Sequence, residues 1–85
     1  MTWTILVAKP AQKQCARFPA KDRVKISLAI AQMAEDPFAG DVLKLEGAGN
    51  RWRRRIGSYR IFFSLDAASR TVSVSAIVRR SSTTY

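Results

Sequence analysis

Arg51-Trp52-Arg53-Arg54-Arg55-Ile56-Gly57-Ser58-Tyr59-Arg60-Ile61-Phe62-Phe63-Ser64-Leu65-Asp66 is the stretch whose reading decides the fold. It reads as two strands, 52–57 and 59–66, meeting at a tight Gly57-Ser58 connection. Its first ten residues hold five arginines and two aromatics. An arginine is costly to bury without a partner, so a cluster this dense faces water or a polyanion. Guanidinium planes bond phosphates in bidentate fashion, and a nucleic acid is the first expectation.

Working outward, 71–79 reads as a third strand, reached through Ala67-Ala68-Ser69-Arg70. Upstream, Thr2 to Val7 reads as a strand closed by Pro10. Pro10 also suits the first turn of a helix over 10–18, which Pro19 ends. A longer helix spans 20–35, with Lys21, Asp22, Arg23 and Lys25 as its polar start. Its two apolar stripes (Val24, Leu28, Ala31 and Ile26, Ile30, Met33) predict contact with both a partner helix and a sheet. Asp36-Pro37 stops it. Residues 36–51 read as a connector with Gly40, Gly47 and Gly49, pinned by Leu43 and Leu45. The order β-α-α-loop-β-β-β predicts an α+β fold, a single domain over 1–85. A two-helix hairpin packs on one face of a four-stranded antiparallel sheet, and the other face stays uncovered.

Alternate strand residues point to opposite faces, which sorts the side chains. Tyr59, Ile61, Phe63 and Leu65 form one set, and Arg60, Phe62, Ser64 and Asp66 the other. Val72, Val74, Ala76 and Val78 are the apolar set of the last strand. Set against the helices, these apolar rows place Arg53, Arg55, Arg60 and Arg79 together on the open face. Arg54 falls on the helix side, where it must reach solvent at the sheet edge or pair with an acid such as Asp36 or Glu46. The plainer alternative is a solvated or partner-binding surface, with Phe62 and Ile77 as a docking patch. Convergent arginines without an acid repel one another, which favours a polyanionic ligand.

Composition agrees. Among 85 residues, 15 are basic and 6 acidic, a net charge of +9. Residues 44–85 hold nine of the basic side chains and two of the acidic ones. Such a balance favours nucleic acid, an anionic membrane surface or an acidic protein. One cysteine, Cys15, excludes an intrachain disulfide and suits a reducing compartment. With no histidine and no second cysteine, a zinc site is not expected. No apolar run spans a membrane and no signal peptide is evident, so a cytoplasmic, soluble protein is expected.

The chain resembles the RelE/ParE superfamily of bacterial toxins, and more closely its RelE mRNA interferase branch in type II toxin–antitoxin systems. The resemblance covers nearly the whole chain. It rests on the element order, on Lys44-Leu45-Glu46-Gly47, on Gly57-Ser58-Tyr59-Arg60-Ile61-Phe62-Phe63, and on Val78-Arg79-Arg80 followed by Tyr85. It implies a ribosome-dependent endoribonuclease that inhibits translation: a ribose 2′-OH attacks the adjacent phosphate, leaving a cyclic phosphate and a 5′-OH. The implied catalytic positions are Arg53, Arg55, Arg60, Arg79 (Arg80 in the alternative register) and Tyr85. Lys44, Arg51, Arg54, Phe62 and Arg80 are the implied RNA-binding set. No cofactor or metal is implied. The implied partners are a cognate antitoxin, the ribosome and mRNA, with operator DNA bound through the antitoxin.

The sequence departs from the RelE pattern at Arg53 and Arg55, where lysines are usual. Arginine cannot act as a base at neutral pH but can stabilise charge on the phosphorane. Tyr85 would then handle more of the proton transfer. Two other readings fit the same residues: a ParE-like gyrase inhibitor that docks through its arginines, and a non-toxic ribosome- or nucleic-acid-binding module. Trp52 reads as core on alternation, with base stacking as the alternative.

Overall fold

The computed structural model describes residues 2–47 and 49–80. Its elements run β1 (Thr4–Val7), α1 (Lys9–Ala16), α2 (Ala20–Glu35), β2 (Asp41–Lys44), β3 (Arg51–Ile56), β4 (Tyr59–Asp66) and β5 (Thr71–Arg79). Pro10 sits in the first turn of α1, where its missing N–H costs no intrahelical bond. Asp22 lies in the first turn of α2, where a carboxylate favours the positive end of the helix dipole. Asp36 ends α2 in an extended conformation, as a residue before proline must.

The sheet has five strands in the order β1-β5-β4-β3-β2. The expected four-stranded antiparallel sheet is corrected in two respects. The connector contains a strand, β2, which pairs antiparallel with β3. β1 runs parallel to β5, so the sheet is mixed. β2 escaped notice because four residues between glycine-rich turns are too short to show a period. Its addition lengthens the antiparallel meander to four strands, β2-β3-β4-β5.

The core lies between one sheet face and the helices. β4 contributes Tyr59, Ile61, Phe63 and Leu65, β5 contributes Val72, Val74 and Ile77, and the helices add Ala11, Ile26, Ala29 and Met33. Each large apolar side chain buried there stabilises the fold by about 1.5–3 kcal/mol. On α2, Ile26, Ala29 and Met33 turn inward. The stripe expected to meet a partner helix does not do so: Val24 is 58% and Leu28 61% exposed.

β5 carries an irregularity that alternation missed. Phe62 pairs with Ala76 while Phe63 pairs with Val74, so Ser75 is an extra residue that bulges from the ladder. Beyond it every side chain changes face. Ile77, not Ala76 or Val78, enters the core beside Ile61.

Candidate nucleic-acid interface

Strand pairing fixes which arginines meet on the face away from the helices. On β3, Arg51, Arg53 and Arg55 stand opposite Ser64, Phe62 and Arg60 of β4. On β5, Val78 stands opposite Arg60 and Ala76 opposite Phe62. Leu43 and Asp41 of β2 extend the same rows beside Arg53 and Arg55. Arg80 follows β5, its N–H donating to Ser58 O at 2.6 Å.

Arg79 does not join this face. It pairs with Tyr59 on the helix side, its guanidinium 5.9 Å from the Tyr59 ring centre. The cause is the extra residue at Ser75, which moves Arg79 across and brings Arg80 to the place expected of it. The electrostatics agree: the Arg60 pKa is pushed down by burial first, then by the like charges of Arg80, Arg53 and Arg55. The Nε of Arg53 and of Arg60 are buried with no acceptor among the described residues.

Two further expectations are corrected. Arg54 is 7% exposed and lies on the helix side, which rules it out as a surface contact for RNA. Its Nη1 donates to Ala29 O at 3.1 Å and its Nη2 to Gln32 Oε1 at 2.5 Å. Neutral oxygens of α2 hold it, not Asp36 or Glu46, and burial pushes its pKa down. Lys44 stands opposite Trp52 on that same side, its Nζ 5.8 Å from the indole centre. Trp52 packs inward against the core. Tyr85 lies outside the described residues.

Asp41 was missed in the sequence. It stands opposite Arg55, and its Oδ1 lies 3.6 Å from Arg53 Nη2. It therefore places a carboxylate at the rim of the arginine cluster. Only recognition of β2 and its register with β3 could have found it. The site thus combines five guanidinium groups, an adjacent aromatic ring and one carboxylate, a set able to bind phosphate, stack a base and accept a proton. Among the described residues no group of three His, Cys, Asp or Glu side chains could hold a metal.

No protein-family model and no curated protein matches the sequence. The solved structures are more informative, and they define first a fold class, which this chain shares with several small toxins. Within it the chain has the RelE fold. It superimposes on the archaeal RelE–RelB complex from Pyrococcus horikoshii with a TM-score of 0.85 at 23% identity, covering 96% of this chain and 99% of that one. The RelB–RelE antitoxin–toxin complex from Methanococcus jannaschii gives 0.74 at 25% identity, over 87% and 88% of the two chains. A YoeB/ParE toxin from Agrobacterium tumefaciens gives 0.77 at 19% identity, over 92% and 99%.

Proposed function

We propose that this protein is the toxin of a type II toxin–antitoxin pair and that it cuts mRNA on the ribosome, in the cytoplasm. The observation that carries this reading is the convergence of Arg53, Arg55, Arg60 and Arg80 on one uncovered sheet face, with Asp41 at its rim. Asp41 offsets their self-repulsion only at the rim, which favours an anion on this face. The likeness to RelE toxins supports a phosphodiester as that anion.

The chemistry needs no cofactor. A ribose 2′-OH attacks the adjacent phosphorus; the new O2′–P bond forms as the P–O5′ bond breaks. The arginines stabilise charge on the phosphorane, which is commonly the largest contribution. Asp41 accepts the 2′-OH proton, and Tyr85 supplies one to the departing 5′ oxygen. Phe62 and Arg51 hold the flanking nucleotides. This division gives the reaction a base that its arginines cannot provide.

The partner in this reading is an antitoxin whose own DNA-binding part brings the pair to operator DNA. The test is a translation extract given the purified protein. Expected are mRNA breaks in the ribosomal A site, with 2′,3′-cyclic phosphate and 5′-OH ends; intact mRNA overturns the proposal. The second reading is a ParE-like inhibitor of gyrase, and a toxin named YoeB/ParE shares this fold. Loss of supercoiling by purified gyrase, with mRNA left whole, would establish it instead.

A further inference from the structure

The turn between β3 and β4 is a crest where the two faces of the sheet meet. Arg55 and Arg60 are the last pair before it on the uncovered face. Ile56 and Tyr59, the next pair, point to the helix side, one residue or about 3.3 Å farther along the strands. Only Gly57 and Ser58 join the two strands. Gly57 has a φ of +54°, and nothing stands within 4 Å of where a Cβ would sit. Ser58 is exposed, so the crest is bare. The end of β5 lies beside it, because Arg80 N–H donates to Ser58 O. Successive residues of an extended chain point to opposite sides. Arg79 and Arg80 therefore straddle the crest, one toward each face.

Behind the crest, on the helix side, lies a hollow of about 310 Å³. It is lined by Ile56, Tyr59 and the turn itself, with Lys25 and Arg79 as its cations and Asp22 as its one acid. Asp22 Oδ2 already accepts from the Tyr59 hydroxyl at 2.6 Å. Lys25 and Arg79 are exposed, and neither forms an ion pair among the described residues. Arg79 is there only because of the extra residue at Ser75. In an unbroken ladder it would have stood on the arginine face.

We infer that this hollow is a second phosphate subsite, filled by the strand bound on the arginine face once it has crossed the Gly57-Ser58 turn. Lys25 and Arg79 hold one phosphate between them, and the Ser58 hydroxyl donates to it. The inference rests on the nuclease reading only in taking that strand to be RNA. Continuity decides the occupant. The two groups of cations are separated by nothing but a bare two-residue crest, and the backbone of a flexible single strand follows positive charge. A duplex is too stiff to bend over so narrow an edge. An isolated anion would use the hollow and gain nothing from the arginines beyond it. Neither cation reaches the scissile phosphate on the other face. Both act on affinity for free RNA, and cleavage of a message already held by the ribosome needs neither.

The probes are a trimer and an octamer of 2′-O-methyl uridylate, which cannot be cut because the 2′ oxygen carries no proton. Each is titrated into the full protein at several salt concentrations and followed by amide NMR. The octamer should bind about tenfold more tightly than the trimer and should shift the Gly57 and Ser58 amides as well as that of Arg60. Lys25→Ala combined with Arg79→Ala should erase this gain and lower the octamer's salt slope by about 0.7, the loss of one phosphate contact. Both side chains are exposed, so the fold survives their removal, and affinity for the trimer should not change. Equal octamer affinity and slope in the two proteins, shifts confined to the arginine face, or no binding of either oligomer overturns the inference. Inorganic phosphate that moves the Gly57 and Ser58 amides while the octamer does not also overturns it, and marks an isolated anion site. The translation extract separates this inference from the nuclease reading. mRNA left whole, with the octamer bound as expected, defeats the nuclease reading alone; mRNA cut, with octamer binding indifferent to the double variant, defeats the subsite alone.

Discussion

Arg55 and Arg60 stand directly opposite each other across β3 and β4, two like charges where a sheet ordinarily places complementary ones. Like pairs in that position are destabilising. An anion that bridges them stabilises the native state by binding it and not the unfolded chain. Thermal unfolding in sulfate or a short oligonucleotide should occur several degrees above that in sodium chloride of matched ionic strength. Arg60→Ala should abolish the difference while leaving stability in chloride unchanged or raised.

For the proposed reaction, register picks out the arginines more sharply than sequence position does. Arg53→Ala, Arg60→Ala and Arg80→Ala should each lower mRNA cleavage by about 10²-fold or more, the usual cost of losing one charge-stabilising donor. Arg79→Ala should leave cleavage by the free protein near wild type, because its side chain lies on the helix side. Asp41→Asn should cost about 10²–10⁴-fold if its carboxylate takes the 2′-OH proton. Single-turnover cleavage of a defined message on purified ribosomes measures all five.

Much of this was legible in the sequence. Alternation placed Arg53, Arg55 and Arg60 on one face and Arg54 on the other, because β3 and β4 pair without interruption through that region. It failed at Arg79 because period two assumes an unbroken ladder, and the extra residue at Ser75 is set by tertiary pairing. One clue was available: Ile77 is bulkier than Ala76 and fills more of a core. The partner of Arg54 was misjudged because charge suggested an acid, whereas the helix offered a carbonyl and an amide. Asp41 was illegible for want of β2, whose four residues carry no period of their own.

Gly40 and Arg54 are coupled. Gly40 has a φ of +80°, and a Cβ there would sit 3.0 Å from Arg54 Nε and Nη2. Gly40→Ala should destabilise by about 1–2 kcal/mol from backbone strain alone, and by more through the contact. Arg54→Ala should cost about 1–3 kcal/mol by removing the charged donor that Ala29 O and Gln32 Oε1 accept from. In the double variant the contact vanishes, so the combined loss should fall short of the sum. Urea denaturation of the four proteins completes the cycle.

Tyr59 gives alkaline unfolding a definite direction. Its hydrogen bond to Asp22 chiefly raises its pKa, with desolvation and the Asp22 charge adding to the shift and Arg79 opposing it. The folded state thus favours the neutral phenol over the unfolded chain, whose tyrosines titrate near about 10. This stabilisation is complete below that pH and is lost as pH rises through the higher folded value. Absorbance titration should show one phenol ionising late; Asp22→Asn should bring it earlier, and Tyr59→Phe should remove it.

Thr4 is paired with Thr71 in the parallel junction of β1 with β5, so β1 cannot find its neighbour in the sheet until β5 has been made. Contacts this distant in sequence form late. During synthesis the helices and the β2–β4 hairpins leave the ribosome before β5, and Arg80 comes after it. A nascent copy therefore lacks both a closed sheet and the Arg80 guanidinium until β5 has emerged. The arginine face is complete only when β1 has met β5, so assembly of the face and closure of the sheet are a single event.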